Sequence, residues 1–120
     1  MTYNMNPYAF EELIAALFRA MGFDAEPTKK SGDQGVDVIA RKRMNIIAIQ
    51  VKCYPNTVVG NSAIQEVVAG KCFYNATEAI VVTNSTFSKS AIQLADANNV
   101  LLWDKYTLKE KLIQYPLKVN

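Results

Sequence analysis

Apolar and polar positions alternate in two clear rhythms along this chain. From Phe10, apolar residues recur at three- and four-residue steps through Leu13, Ile14, Leu17, Phe18 and Met21, the stripe of an amphipathic helix. Asn6-Pro7 supplies its start and Gly22 its stop. The rhythm then changes to that of strands. Phe23 to Thr28 reads as a short edge strand, because Pro27 cannot donate to a ladder. Lys29 to Gly35 is loop. Val36 to Arg41 and Ile46 to Tyr54 form a hairpin around the polar loop Arg41–Asn45. On the second of these strands Ile47, Ile49, Val51 and Cys53 share one face, and Ile46, Ala48, Gln50 and Lys52 the other. Both faces are apolar over most of their length, which predicts cover on both sides.

The second half alternates helix and strand. Pro55 to Gly60 is a turn-rich connection. A helix capped by Asn61 or Ser62 buries Ile64, Val67, Val68 and Cys72 and ends near Asn75. Ala79 to Thr83 is an apolar strand, and Asn84 to Thr86 a polar turn. The next helix, capped around Ser88, turns Ala91, Ile92, Leu94 and Ala95 inward and stops at Asn98-Asn99. A last strand, Val100 to Trp103, precedes a closing helix from Asp104 to Gln114, with Leu108, Leu112 and Tyr115 as its contacts. Antiparallel neighbours at the front and strand–helix–strand crossovers at the back predict an α/β fold. The expected architecture is a three-layer α-β-α sandwich around a mixed central sheet. The 120 residues suit one domain, 1–120, with no separate recognition module.

Composition narrows the chemistry. Without histidine, histidine bases, histidine triads and histidine-ligated zinc are excluded. Two cysteines, Cys53 and Cys72, make no disulfide scaffold or metal finger and read as small core residues; the expected setting is a reducing cytoplasm. The amino terminus lacks signal-peptide order, and no apolar run approaches the ~20 residues that span a bilayer. A net charge of +2 is too mild to imply a polyanion partner. Lys29, Lys30, Arg41, Lys42 and Arg43 nevertheless flank the first hairpin strand at both ends. A solvated rim and a phosphate-binding surface both satisfy that pattern.

The informative stretch joins the glycine turn before Asp37 to the strand bearing Gln50 and Lys52. Pairing these strands brings a carboxylate, an amide oxygen and a lysine to one spot, a seat for a divalent metal and an attacking water. A lysine near the end of a covered strand is costly unless something anionic meets it. Glu12 points away from the first helix's stripe, whereas Glu11 lies on its border, in reach of a neighbouring site. The ordinary alternative is that Gln50 and Lys52 solvate the strand end. Tyr54, beside the site, is placed to touch a nucleotide but needs no such role. Thr83, Ser85 and Thr86 suit a phosphate or, more simply, the cap of the next helix.

Ordered along the chain, Phe10-Glu11, Met21-Gly22-Phe23, Lys30-Ser31-Gly32-Asp33-Gln34-Gly35-Val36-Asp37, Ile49-Gln50-Val51-Lys52 and Val81-Val82-Thr83-Asn84-Ser85-Thr86-Phe87 resemble the catalytic domain of the Mrr-type restriction endonucleases. That family belongs to the PD-(D/E)xK, restriction-endonuclease-like superfamily. The resemblance implies a metal-dependent DNA endonuclease, using Mg²⁺ with Mn²⁺ as a substitute and acting as a homodimer. Asp37 would bind the metal and Lys52 would be the active-site lysine. Gln50 stands where the wider superfamily has a carboxylate, Glu11 matches a supporting first-helix glutamate, and Asp33 shapes the loop. The carbonyl of Val51 completes the expected ligands, and the five basic residues would contact DNA phosphates. Rival readings are a Holliday-junction or repair nuclease of the same fold and a nucleic-acid-binding module that has lost catalysis. A fourth makes Asp37 and Lys52 a structural ion pair.

Overall fold

Local capping decides where the helices begin. In the computed structural model, which describes residues 6–28 and 35–118, the Asn6 side chain accepts the Ala9 N–H at 2.8 Å and opens α1, Pro7–Ala20. Gly22, at φ 99°, turns the chain out of that helix into β1, Asp24–Pro27. The chain continues through β2 (Val38–Lys42), β3 (Asn45–Lys52), α2 (Asn61–Phe73) and β4 (Glu78–Thr83). It closes with α3 (Lys89–Ala97), β5 (Val100–Trp103) and α4 (Lys105–Gln114). Ser88 caps α3 through the Ala91 N–H, and Asp104 caps α4 through those of Tyr106 and Thr107.

The five strands lie in the order β1-β2-β3-β4-β5. The first three are antiparallel neighbours, and β3-β4 and β4-β5 are parallel, as the connections require. One face of the sheet packs Val38, Ala40, Ile47, Ile49, Ile80 and Val82 against Phe10, Ile14, Leu17 and Phe18 of α1 and Leu108 of α4. On the other face, Ala79, Val81 and Val100 pack against Ile64 and Val67 of α2 and Ala91 and Ala95 of α3. The result is the expected sandwich, with β3 covered on both sides. The odd-numbered side chains of β3 face α1; Ile46, Ala48, Gln50 and Lys52 take the α2 side.

Several local expectations are corrected. The hairpin loop is only Arg43-Met44, with Arg43 at φ 58°, because β2 runs on through Arg41 and Lys42 to pair with Ile46 and Asn45. Backbone pairing there does not require apolar side chains, and both basic residues project into solvent. Asn61 is the first residue of α2 rather than its cap; the cap is Gly60, which makes no side-chain bond. That helix turns Ala63, Ile64, Val67 and Gly70 inward and leaves Cys72 exposed. In α3, Ile92 is exposed while Ala91 and Ala95 are buried, since close packing on β4 and β5 selects the small residues. Lys29, Lys30, Gly32 and Asp33 lie outside the described residues.

Candidate active site

The site forms where β2 begins and β3 ends. Val38 pairs with Ile49, so Asp37, one residue earlier, falls beside Gln50 and Val51. Its carboxylate is held there: Oδ2 accepts the Val51 N–H at 2.7 Å. The Asp37 backbone is equally tied, its N–H donating to Ile49 O at 2.8 Å and its carbonyl accepting from Thr28 N–H at 2.9 Å. Thr28 also donates its hydroxyl to Val36 O at 2.7 Å. Thr28, Val36 and Asp37 are thereby tied together at the start of β2.

Gln50 and Lys52 leave β3 toward α2, where both meet Glu66. Gln50 Nε2 donates to Glu66 Oε1 at 2.7 Å, and Lys52 Nζ reaches the same oxygen at 3.1 Å. Gln50 is 3 % exposed, and its Oε1 has no hydrogen-bond donor among the described residues. A bare buried acceptor costs about 1–3 kcal/mol, so this oxygen is poised for a cation or a water. Burial acts to lower the pKa of Lys52. The hydrogen bond it donates to Glu66 and the electrostatic attraction of Glu66 and Asp37 outweigh it, and the net shift is upward. The ammonium is thus fixed in its charged form at neutral pH, a donor of protons in hydrogen bonds and not a base.

Glu66 is the residue that sequence reasoning missed. It lies on the exposed side of α2, and nothing in the helical pattern distinguishes it. Its proximity to Gln50 depends on Gly35, where φ is 77°. A Cβ on Gly35 would run into the Glu66 carbonyl oxygen and stand 2.8 Å from its carbonyl carbon. Only glycine lets the chain entering Asp37 pass this close to α2. The anion that Lys52 demanded is therefore Glu66, and the structural pairing of Lys52 with Asp37 alone is set aside.

The strand end is braced from β4. Thr83 Oγ1 donates to Lys52 O at 2.7 Å and accepts Ser85 N–H at 3.1 Å. Tyr54 N–H donates to Asn84 Oδ1 at 2.7 Å, and Ser85 Oγ to Thr57 O at 2.7 Å. Thr83 and Ser85 are used in this bracing; the helix cap expected of them, with Thr86, falls to Ser88. Glu11 is half-buried on α1, a helix that packs on the opposite face from α2. Arg41, Lys42 and Arg43 stand at the far end of the β2–β3 hairpin. At about 3.3 Å per residue that is roughly 13–20 Å from Asp37, and Lys42 there lies 5.4 Å from the Phe23 ring centre.

Asp37 and the Gln50 oxygen make an all-oxygen donor set, which suits a hard cation that retains waters. Among the described residues no three acidic, histidine or cysteine side chains cluster as a metal cage. A few ligands around an open position fit a hydrolytic site rather than a structural one.

A mixed sheet sandwiched by helices, with Asp37 facing Gln-x-Lys across a hairpin, is the restriction-endonuclease-like fold. The profile of the Mrr catalytic domain, described as restriction endonuclease, matches residues 2–112, and the chain belongs to that family. No curated protein sequence matches it significantly. Among solved structures it resembles a protein of unknown function, AF1548, at 18% identity and TM-score 0.78, over 96% of this chain and 73% of that one. It also resembles the DNA modification-dependent restriction endonuclease AspBHI, at 21% identity and TM-score 0.68, over 93% of this chain and 32% of AspBHI. A third likeness is to the MspJI restriction endonuclease in complex with a 27-mer oligonucleotide, at 23% identity and TM-score 0.68, covering 95% and 30%. The chain thus spans about a third of these two endonucleases. No helix among the described residues is long and apolar enough to cross a membrane.

Proposed function

We propose that this chain is a Mg²⁺-dependent endodeoxyribonuclease, with Mn²⁺ able to substitute, whose site is built on Asp37, Gln50 and Lys52. The observation that carries the reading is the buried Gln50 Oε1, left without a donor beside a fixed carboxylate and a charged lysine. Asp37, Gln50 Oε1 and the Val51 carbonyl would hold the cation, with Glu11 as a supporting carboxylate. The cation supplies Lewis acidity toward a phosphoryl oxygen and lowers the pKa of a bound water. Lys52 does the rest of the charge work. Its ammonium orients the attacking water by hydrogen bonding and offsets the negative charge that builds on phosphorus oxygens in the transition state. The substrate is DNA, held by backbone contacts from Lys29, Lys30, Arg41, Lys42 and Arg43. Cutting both strands at one place calls for two such sites, so we read the working form as a homodimer.

The test is conversion of supercoiled plasmid to nicked and linear forms in Mg²⁺, in Mn²⁺ and in chelator. Metal-dependent cleavage should fall at least about a hundredfold in Asp37→Ala and Lys52→Ala proteins that fold normally. Cleavage that persists in chelator, or that survives both substitutions, removes the assignment.

A further inference from the structure

The established family and the reading above leave Glu66 without a role, although it is the group that both Gln50 and Lys52 touch. We propose that Glu66 is a positioning residue that decides which end of the Gln50 amide faces the cation. This rests on the reading of Asp37 and Gln50 as cation ligands.

A glutamine side chain has an oxygen end and a nitrogen end of nearly equal shape, and only its surroundings choose between them. In the observed orientation Nε2 donates to Glu66 Oε1 at 2.7 Å. The flipped amide would set two acceptor oxygens against each other at that distance. A carboxylate accepts only, so Glu66 enforces one orientation. Its consequence is the buried Oε1 with no donor among the described residues. A strand glutamate would need no such device, because both of its ends are oxygens. Glutamine at position 50 does need it, and the carboxylate missing from β3 is found on α2, on the far side of the amide.

Three features of the fold serve this contact. The Gly35 turn lets α2 approach until Glu66 meets β3. The same Glu66 oxygen holds the Lys52 ammonium at 3.1 Å, which fixes the carboxylate from a second direction. Glu66 remains 47% exposed in its side chain, so water solvates its charge while Gln50 stays buried. The carboxylate can therefore act without the cost of full desolvation.

Glu66 is therefore coupled to the identity of residue 50. Glu66→Gln should matter when residue 50 is glutamine and cease to matter when it is glutamate. Mn²⁺ affinity is measured by titration calorimetry on the full chain for four proteins: the natural one, Glu66→Gln, Gln50→Glu, and the two changes combined, each checked by thermal unfolding. With glutamine at position 50, Glu66→Gln should weaken Mn²⁺ binding about tenfold or more, as loss of a ligand-orienting partner does. In the Gln50→Glu background the same change should cost less than about twofold or tighten binding. Equal losses in both backgrounds would show that Glu66 acts only by its charge or as a ligand itself, and would overturn the proposal. So would the absence of loss in either. Glu66→Ala, which also frees the amide, takes the place of Glu66→Gln in the same cycle if that protein fails to fold. An Asp37→Asn arm separates the two levels. Undiminished Mn²⁺ binding there defeats the cation site and this inference with it. Loss there with no effect of Glu66 defeats the inference alone.

Discussion

Lys52 concentrates the physical tension of the site. Its side chain is 18% exposed, yet it stays charged because Glu66 and Asp37 surround it with negative potential. A pKa raised on folding above the ordinary 10.5 means that the ammonium stabilises the fold wherever its carboxylate partners are ionised and the pH is lower. That contribution is lost as pH climbs through the raised value. The difference in unfolding free energy between the natural protein and Lys52→Met should accordingly be constant from neutral pH to about pH 10 and shrink above about 10.5. Denaturant titrations at several pH values check this. Gly35 is the second residue with a sharp expectation. Gly35→Ala adds strain at φ 77° and a collision with the Glu66 backbone. It should cost about 2 kcal/mol or more of stability. In molecules that still fold, it should also reduce cleavage by pushing α2 away from Gln50.

At the scale of elements, the parallel pair β3–β4 carries the site. Hydrophobic burial on both faces sets the position of β3, but its last residues are fixed by polar contacts from the end of β4. Thr83 is fully buried and bonds both Lys52 O and Ser85 N. Thr83→Val keeps the volume and removes both bonds. It should lower stability by about 1–3 kcal/mol, measured by chemical denaturation. Because Lys52 rides on the loosened strand end, kcat should fall more than KM changes. The α2 helix contributes by its rotation on the sheet. With Ala63, Ile64, Val67 and Gly70 turned inward, Glu66 comes to the margin of the packed face, beside the end of β3.

Across the whole molecule, the basic hairpin tip and the site occupy opposite ends of one pair of strands. On the proposed reading, Arg41, Lys42 and Arg43 would touch DNA well away from the reacting phosphate. Replacing all three by glutamine should weaken DNA binding at low salt and flatten its salt dependence. The slope of log affinity against log salt should fall by about 0.9 for each phosphate that is no longer neutralised. The rate at saturating DNA should be unchanged, since none of the three reaches Asp37, Gln50 or Lys52. Binding measured across a salt series, with single-turnover cleavage alongside, checks both statements.

The order of elements, the antiparallel front and the parallel back were legible in the sequence because they depend on short-range rules. Period-two alternation assigns Gln50 and Lys52 to one face, a short hairpin brings Asp37 back beside them, and Asn6 and Ser88 cap helices through their immediate neighbours. Family resemblance reached the same three residues by motif. What the tertiary structure decided depends on how α2 and the β4 end pack, which no local pattern encodes. The apolar residues of α2 are spread around the helix, so spacing placed Ile64 and Val67 correctly but also turned Cys72 inward. Packing instead leaves Cys72 exposed and brings Glu66 against Gln50. The roles of Thr83, Asn84 and Ser85 required knowing that β4 lies parallel beside β3. Gly35 was visible as a turn, but its need to be glycine is a matter of a helix backbone 31 residues later in the chain. Sequence alone determined that Asp37, Gln50 and Lys52 meet; packing added Glu66 and determined which end of the Gln50 amide it holds.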